Sequence, residues 1–403
     1  MSTQVHAGID EATVRELSDQ LDEPEWLLET RLSALAALDD LDMPSVIRTP
    51  GRTWTNLYNL DFEAMVDPLG FAEEKEQIGP DEVDVWSFHE ALEEAPTLVE
   101  EHFGSVIDPE ENYLTALSTA LFSTGTVIHV PDGIDAEDVK IRTGMASRSL
   151  FNYTLVITGK SSSVTILERQ RSSDELDGSR YYSGLVEVLP GENASVQYGA
   201  LQLLDRSTYN YTLKRAATDT YSRMTFIDGN LGSRLTKTAV GIELDGDGSE
   251  GNIIGAFFGD GDQHFDLDSK VWHRGEHTIA DLVMRGVIDD EARSVYEGVQ
   301  HVGRDAWHTS SYQRENTLML SDESEADASP KLIINNHETE ASHSATVGQI
   351  DEEDLFYMTS RGLDRRRARN QLVEGFFVPI LEEVAVDELR EDLEANIAER
   401  LWQ

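Results

Sequence analysis

Apolar residues in the first third of the chain recur at helical intervals. Between residues 9 and 40 their spacing is close to that of a helix, with a break at Pro24, and residues 87–122 have the same period. This spacing puts the apolar side chains on one face of a helix, so we expect helices in both stretches.

From Gly125 onward the pattern changes to short runs of β-branched and aromatic residues. Each run ends at Gly, Asp, Asn or Ser, and runs follow one another about every ten residues as far as Ile334. Such a series fits a sandwich, a barrel or a solenoid. It is long for one sandwich, lacks strong Asn-Gly hairpin turns, and is flanked by helical segments where a solenoid needs caps. We therefore predict a mainly β fold, a right-handed parallel β-helix, with a polar acidic loop at 321–330.

Helical spacing returns near the end of the chain, in residues 352–360, 364–377 and 386–402. Gly362 and Gly375 lie where helix ends favour glycine, so we expect the second of these helices to end at Gly375.

The 403 residues thus divide into three parts. We expect an N-terminal helical and irregular region at 1–122, a β-helix core at 123–347, and a C-terminal helical domain at 348–403.

The charge of the chain is extreme, because 77 acidic residues stand against 32 basic ones and the formal net charge is −45. The acidic residues are spread along the chain, and only 7 of the basic residues are lysines. This combination is typical of adaptation to very high salt, where screening shortens the reach of self-repulsion to a few ångströms. We expect a halophilic source, and neither nucleic acid nor an anionic membrane as a partner.

The chain contains no cysteine, which excludes disulfides, thiolate nucleophiles and cysteine-bound metal within this chain alone. Residues 1–20 lack the basic and apolar segments of a signal peptide. No apolar run approaches the roughly 18 residues that cross a membrane. We therefore expect a cytoplasmic protein.

Histidines are concentrated in the second half of the core. Seven of the 11 lie there, at His264, His273, His277, His301, His308, His337 and His343. Successive coils of a solenoid can stack distant residues, so a shared metal site is one interpretation, and unlinked histidines on solvated strands are the other. The pair His273 and His277 does not fit a zinc-protease helix, because the Glu is misplaced and Gly275 disfavours a helix.

Other chemical motifs are weak. The Asp-Gly turns at 245–248 and 259–262 lack the ligand spacing and closing Glu of an EF-hand. The chain has neither a P-loop nor a dinucleotide-binding glycine motif, so we expect no nucleotide on it. The arginine-rich run at 365–369 is either a helix face paired with nearby carboxylates or a contact with an acidic partner.

Several short blocks carry a family resemblance. They are VPDG at 130–133, ARSVYEG at 292–298, QREN at 313–316, PKL at 330–332, ASHSATVGQID at 341–351, LFY at 355–357, SRGL at 360–363 and GF at 375–376. Together they resemble the SufB/SufD family of iron–sulfur cluster assembly scaffolds. The chain is more similar to SufD, because it lacks the functional cysteines and the His-Glu-Ala-Thr block of SufB. SufD more often has His-Gly-Ala-Thr, from which Ser344 departs while keeping a small side chain.

The resemblance implies a non-catalytic scaffold that shares a transient, nascent iron–sulfur cluster with a partner. A SufB-like paralogue would pair with this chain through the β-helices, and a homodimer is the alternative in its absence. The histidine of the SufD block is the proposed cluster ligand, and by position it is His343. Imidazole can share iron with thiolates of another chain. The other interpretation is that His343 is a structural residue closing the last coil.

The resemblance also implies that a SufC-like ATPase binds the C-terminal helical domain. The residues expected at that contact are Phe356, Tyr357, Arg361, Gly362, Arg365, Arg366, Gly375 and Phe376. Because such a partner is expected, we interpret the arginine-rich run at 365–369 as a contact with the partner or between domains. No residue can be assigned to the flavin associated with some complexes of this family.

Two other functions fit parts of the pattern. A stand-alone β-helix enzyme acting on acidic polysaccharide would want bound calcium, a basic groove and export, for which the sequence offers little. The second alternative is a SufB-like subunit that has lost its cysteines.

Overall fold

The computed structural model describes residues 8–69, 72–172, 178–384 and 386–402. Its helices are α1 (Glu11–Gln20), α2 (Glu25–Ala37), α3 (Phe62–Met65), α4 (Phe88–Glu94), α5 (Pro96–His102), α6 (Tyr113–Leu121), α7 (Glu352–Ser360), α8 (Arg365–Glu383) and α9 (Asp387–Trp402). Its strands are β1 (Arg48–Thr49), β2 (Arg52–Thr53), β3 (Ala72–Ile78), β4 (Asp84–Ser87), β5 (Thr124–Val130), β6 (Asp135–Met145), β7 (Ser149–Thr158), β8 (Ser163–Ser172), β9 (Arg180–Pro190), β10 (Ser195–Leu203), β11 (Thr208–Thr218), β12 (Arg223–Asn230), β13 (Leu235–Leu244), β14 (Glu250–Gly259), β15 (His264–His273), β16 (Ile279–Ile288), β17 (Arg293–Val302), β18 (Thr309–Met319), β19 (Glu325–Ile334) and β20 (Thr339–Gln349).

The strands from β5 to β20 form a parallel β-solenoid, which confirms the predicted fold. Successive strands alternate between two sheets, each nine strands wide in the described part of the chain. The even sheet holds β3 and the even-numbered strands from β6 to β20, and the odd sheet holds β4 and the odd-numbered strands from β5 to β19. At the first coil β3 pairs antiparallel with β6, and β4 pairs antiparallel with β5. Each sheet therefore has eight parallel strands, and eight coils follow one another.

Alternate side chains of each strand point into the lumen of the solenoid. Met224 and Phe226 of β12 are fully buried there, beside Val196 and Tyr198 of the neighbouring β10. Ile227, the next residue after Phe226, points outward and packs against the C-terminal helices. This period of two is what the alternating β-branched runs encode.

The first seven coils each turn at one corner through a residue in the left-handed region. Tyr221, Gly248, His277 and His308 occupy equivalent corners, with φ between 56° and 67°. The first three each donate their backbone N–H to a carbonyl of the next coil. The Asp-Gly turn at 245–248 is therefore one corner of a repeating series.

The N-terminal helices cover the outer face of the odd sheet, and α6 is buried along its whole length. Arg31 of α2 lies at the end of α6, where its Nη2 donates to the carbonyl oxygen of Phe122 at 2.8 Å and to Glu23 Oε1 at 2.5 Å. The carbonyls at the end of a helix lack partners within the helix, so a buried arginine there satisfies them.

Helices α8 and α9 cover the outer face of the even sheet. Leu389 and Leu393 of α9 lie directly over Gly199 and Gly229, where a Cβ would collide with them. These two glycines therefore let α9 approach the sheet closely. None of the described helices is both long and apolar enough to cross a membrane.

The acidic loop expected at 321–330 is present at 321–324, but the expectation is wrong from Glu325 onward. Strand β19 begins at Glu325 and pairs with β17 along its length. Its first two luminal positions hold the small Ala326 and Ala328, and large apolar side chains follow only at Leu332 and Ile334, so the strand pattern is weak at its start.

The expectation that the second C-terminal helix ends at Gly375 is also wrong, because α8 continues to Glu383. Phe377, Ile380 and Leu381 extend its apolar face against the even sheet. A helical glycine costs about 1 kcal/mol relative to alanine. Burial of each large apolar side chain gains about 1.5–3 kcal/mol, which outweighs that cost.

Candidate site at the open end of the solenoid

The last coil of the solenoid is open. Strands β19 and β20 each have one hydrogen-bonded strand neighbour among the described residues, β17 and β18 respectively. Every residue of both strands is at least partly exposed, and Ile333 and Val347 are 45% and 37% exposed. Long unpaired strand edges are templates for pairing with another chain. This end is therefore suited to a partner that adds strands to both sheets.

His343 lies on the luminal side of β20. It pairs in register with Gln313 of β18, and Gln313 pairs with Leu282 of β16, which belongs to the luminal core. Gln313 is 1% exposed, whereas His343 is exposed because no further coil covers it within the described chain. The luminal neighbours of His343 along β20 are Ala341 and Ala345, which leave its ring uncrowded.

The lumen becomes polar directly beneath His343. The inward positions of β18 hold Ser311, Gln313, Glu315 and Thr317, where β16 has apolar residues such as Met284. Three buried atoms have no hydrogen-bond partner among the described residues: the two amide atoms of Gln313 and Oε2 of Glu315. An unsatisfied buried polar group costs about 1–3 kcal/mol of folding free energy, so this layer destabilises the fold while its groups lack partners.

Glu315 is the ionisable group of this layer. Burial raises the pKa of its carboxyl to about 7, and bonds from Thr317 and the backbone of Thr346 oppose that rise. The Thr317 hydroxyl donates to Glu315 Oε1 at 2.5 Å. The burial of Gln313 and Glu315 in the lumen was not predicted from the sequence, where the available signal was polar residues at alternate positions of a strand.

The seven clustered histidines do not form one site. His273 is fully buried, and its Nδ1 lies 2.7 Å from the Thr278 hydroxyl. His277 and His308 stack at 4.9 Å on the exposed corner. Within the described ranges, no group of three or more His, Asp or Glu residues is arranged to hold a metal ion.

A second exposed surface follows directly after the last strand, at the turn between α7 and α8. Phe356 and Tyr357 are 74% and 57% exposed, and the Arg361 guanidinium lies 5.1 Å from the Tyr357 ring centre. Gly362 ends α7 with a φ of 99°, which glycine adopts readily. We call this surface, together with Arg365 and Arg366, the α7–α8 corner.

The arginine run is mostly paired within the chain. Arg365 contacts Glu352 at 2.9 Å, Arg367 contacts Asp364 at 3.4 Å, and Arg369 contacts Asp289 at 3.2 Å. Arg366 is exposed and forms no hydrogen bond or ion pair with any residue in the described ranges. The contact between Arg369 and Asp289 holds the start of α8 against the solenoid.

Gly375 and Phe376 lie away from this corner, roughly 15 Å further along the axis of α8. Gly375 is exposed, whereas Phe376 is partly buried. Arg285 of β16 packs over the Phe376 ring at 5.0 Å and donates to its carbonyl oxygen. Phe376 therefore contributes to fixing α8 on the even sheet.

These features define a class of protein: a parallel β-solenoid that is covered by helices on both sheets and open at its last coil. Residues 141–376 match the family model of the SUF system FeS cluster assembly SufBD core domain, and residues 63–141 match that of the SufBD protein N-terminal region. The core match covers more than half of the chain, so the chain belongs to the SufBD family of iron–sulfur cluster assembly proteins.

Several curated relatives are similar over nearly their whole length. Iron–sulfur cluster assembly SufBD family proteins from Staphylococcus saprophyticus, Staphylococcus haemolyticus and Staphylococcus aureus are each 28% identical over 422 aligned positions. Each alignment covers 94% of this chain and 90% of the relative.

Proposed function

We propose that this chain is the SufD-type subunit of a SUF complex, a non-catalytic scaffold on which a nascent iron–sulfur cluster is built as cargo. The observation that carries the proposal is the open last coil, which presents His343 on its luminal side in a chain without cysteine. Such a chain can supply an imidazole to iron, whereas thiolates must come from elsewhere.

The partner at the open end is a SufB-type paralogue that carries cysteine. The free edges of β19 and β20 support this role, because main-chain hydrogen bonds across them would join the two solenoids. The exposed Ile333 and Val347 add apolar surface that such a partner would cover. A second copy of this chain is the occupant when no SufB-type subunit is present.

The partner at the α7–α8 corner is a SufC-type ATPase. Large exposed aromatic side chains beside arginines are typical of the centres of protein interfaces, and Phe356, Tyr357 and Arg361 form such a group. Arg365 and Arg366 extend the surface. Partner contact by Gly375 and Phe376 stays a prediction; the packing of Phe376 on Arg285 supports an indirect role through the position of α8.

The surface charge supports a location in a cytoplasm with a high salt concentration. A net charge of −45 with few lysines is strongly self-repulsive in dilute buffer and becomes tolerable where salt screens it.

Co-expression with the cysteine-bearing paralogue and the ATPase of the same source tests the assignment. We expect a stable complex of the three chains. His343→Ala should leave folding and complex formation intact and lower the iron and acid-labile sulfide recovered on the reconstituted complex. His337→Ala, an exposed histidine just before the same strand, is the matched control. Equal iron and sulfide in the His343→Ala complex would remove the ligand role, and an isolated monomer that cleaves glycan would contradict the scaffold.

A further inference from the structure

An exposed hairpin of the N-terminal region lies beside the open end of the solenoid. Strands β1 and β2 are joined through Pro50 and Gly51, and the φ of 80° at Gly51 fits the third position of a type II turn. From this hairpin, Arg52 forms an ion pair with Glu325, the first residue of β19. Because β19 is the last strand of the odd sheet, the β1–β2 hairpin reaches the free edge of that sheet.

Side-chain contacts hold the β1–β2 hairpin in place. The Arg52 guanidinium packs over the Trp54 ring at 3.8 Å, and Trp54 Nε1 donates to Thr49 Oγ1 at 2.9 Å. The hydroxyl of Thr55, just after the hairpin, lies 2.8 Å from His264 Nε2 of β15. These contacts fix the position and the orientation of the Arg52 side chain before any partner binds.

The hairpin buries little surface of its own. Five of the six residues at 48–53 are exposed, and the Arg52 side chain is 40% exposed. An exposed ion pair contributes about 0–1 kcal/mol to stability, and a two-stranded hairpin is marginally stable in water. The hairpin therefore contributes little to the stability of the isolated chain, while its ordered and exposed arginine is suited to contact with a partner.

The hairpin is also a cationic surface on an acidic protein. Residues 43–60 contain two arginines and no Asp or Glu, although 77 of the 403 residues are acidic. Arg293 of β17 adds a third cation, because its Nε lies 3.4 Å from the Glu325 carboxylate that Arg52 contacts. Two guanidinium groups therefore share one carboxylate, which leaves donors for a second carboxylate beside them.

A partner that adds a strand to β19 would come within reach of Arg52. Neighbouring strands lie about 4.8 Å apart, and side chains directly opposite one another on one face are in contact. The residue opposite Glu325 in the added strand would therefore lie beside the Arg52 guanidinium. Since this chain and its partner share one cytoplasm at high salt, the partner's surface is expected to be acidic as well.

We propose that the β1–β2 hairpin is a second contact with the cysteine-bearing paralogue, in which Arg52 binds an acidic side chain opposite Glu325. The inference rests on the proposed function and deepens it, because it adds a side-chain contact on the outer face of the odd sheet to the main-chain pairing at the open end. Main-chain hydrogen bonds give affinity to any added strand, whereas side-chain contacts give specificity. The hairpin thereby gives the N-terminal region a part in the choice of partner.

Calorimetric titration of the full chain with the paralogue in 2 M KCl tests the contact, because long-range charge effects are screened at that salt concentration. Arg52→Ala should raise the Kd for the paralogue about tenfold and leave the Kd for the ATPase within twofold. Arg48→Ala is the matched control. Arg48 pairs with Thr53 and Arg52 with Thr49, so the two arginines lie on opposite faces of the hairpin, and the control should change the Kd for the paralogue less than twofold.

Glu325→Gln separates a partner contact from a purely internal role of Arg52. If the arginine only holds the hairpin on β19, loss of its carboxylate should raise the Kd for the paralogue as much as Arg52→Ala does. A partner contact predicts instead that this Kd is unchanged or lower, because Arg52 is then free to pair with the partner. Equal losses in the two variants, or an unchanged Kd in Arg52→Ala, would overturn the proposal.

Hydrogen exchange on the unaltered chain needs no substitution. When the paralogue is added, the backbone amides at 48–54 should exchange at least fivefold more slowly, because the partner covers them. Absence of this protection would overturn the contact. Protection that develops when the chain alone is concentrated, and does not increase with the paralogue, would assign the hairpin to a contact between copies and would also overturn it.

These outcomes distinguish the hairpin contact from the proposed function. If the paralogue binds the unaltered chain and the Arg52→Ala chain equally well, the scaffold assignment stands and only the hairpin contact fails. If the paralogue does not bind the unaltered chain at all, both fail.

Discussion

Gln313 and His343 lie side by side in the register of β18 and β20, yet the first is buried and the second is exposed. The difference arises because the solenoid stops one strand beyond Gln313. Whatever continues the even sheet past β20 would bury His343 as β20 buries Gln313. The residue expected to bind the cluster is thus the one whose burial depends on a partner.

The open end predicts that one charge in the lumen can block assembly without harming the fold. Ala345 is exposed and luminal, so Ala345→Lys should leave the melting temperature of the isolated chain unchanged within a few degrees. It should abolish co-purification with the cysteine-bearing paralogue, because an inward lysine at a strand edge opposes pairing. His337→Lys, at the preceding corner, is the control and should still co-purify. A normal complex with Ala345→Lys would show that the partner binds elsewhere.

The α7–α8 corner predicts a separation of stability from ATPase binding. Phe356→Ala and Tyr357→Ala should each change the free energy of unfolding by less than about 0.5 kcal/mol, since both side chains are mostly exposed. Either should weaken ATPase binding by about 2 kcal/mol, roughly thirtyfold, if these residues anchor the interface.

Val378→Ala is the matched control for the corner, because Val378 is 46% exposed on α8 but lies away from it. Calorimetric titration of each variant with the ATPase measures the effect. Equal affinities of all three variants for the ATPase would show that the ATPase does not bind at the α7–α8 corner.

Two histidines whose pKa is lowered should make the protein less stable in acid, and the fully buried His273 allows the effect to be measured. Burial lowers the pKa of His273 to about 4; its bond with Gln300 opposes this shift, and His301 adds to it. The unfolded chain has the ordinary value near 6.5, so below that pH the unfolded state takes up a proton that the folded state does not. The stability contribution is therefore complete above about pH 6.5 and is lost as the pH falls toward 4.

Urea unfolding of His273→Gln and of the unaltered chain, at pH 7.5 and at pH 5, measures this contribution. The variant should lose less stability between the two pH values, by on the order of 1–2 kcal/mol. A parallel loss in both proteins would assign the acid sensitivity to other groups. His264, which is partly buried and whose pKa is also lowered to about 4, would then be the next residue to change.

The net charge predicts stability that depends on salt. At 0.01 M ionic strength charges interact over about 30 Å, whereas at 1 M the reach is about 3 Å. The melting temperature should therefore rise by several degrees or more between 0.1 M and 2 M KCl, with most of the gain below about 1 M. A melting temperature that is flat or falls over this range would contradict adaptation to high salt.

Much of the fold could be predicted because it follows from local patterns. The short β-branched runs, each closed by Gly, Asp, Asn or Ser, and the alternation in β12 follow simple local rules, and these patterns predicted the solenoid. Only the first half of β19 was mistaken for a loop, because Ala326 and Ala328 do not look like a strand interior. The pairing of Gln313 with His343 depends on the register between strands some 30 residues apart, which no local pattern specifies.

The prediction that a helix ends at Gly375 was wrong for a related reason. Glycine signals a helix end only when its backbone turns left-handed, and Gly375, unlike Gly362, does not adopt a positive φ. A Cβ at Gly375 would have no described atom within 4 Å. Gly375→Ala should therefore stabilise the protein by about 1 kcal/mol, because alanine loses less backbone freedom in a helix. Gly362→Ala, at φ 99°, should instead destabilise it by a similar amount or more. Chemical unfolding of the two variants side by side decides the point: if Gly375→Ala were the destabilised one, α8 would end where the sequence pattern suggested.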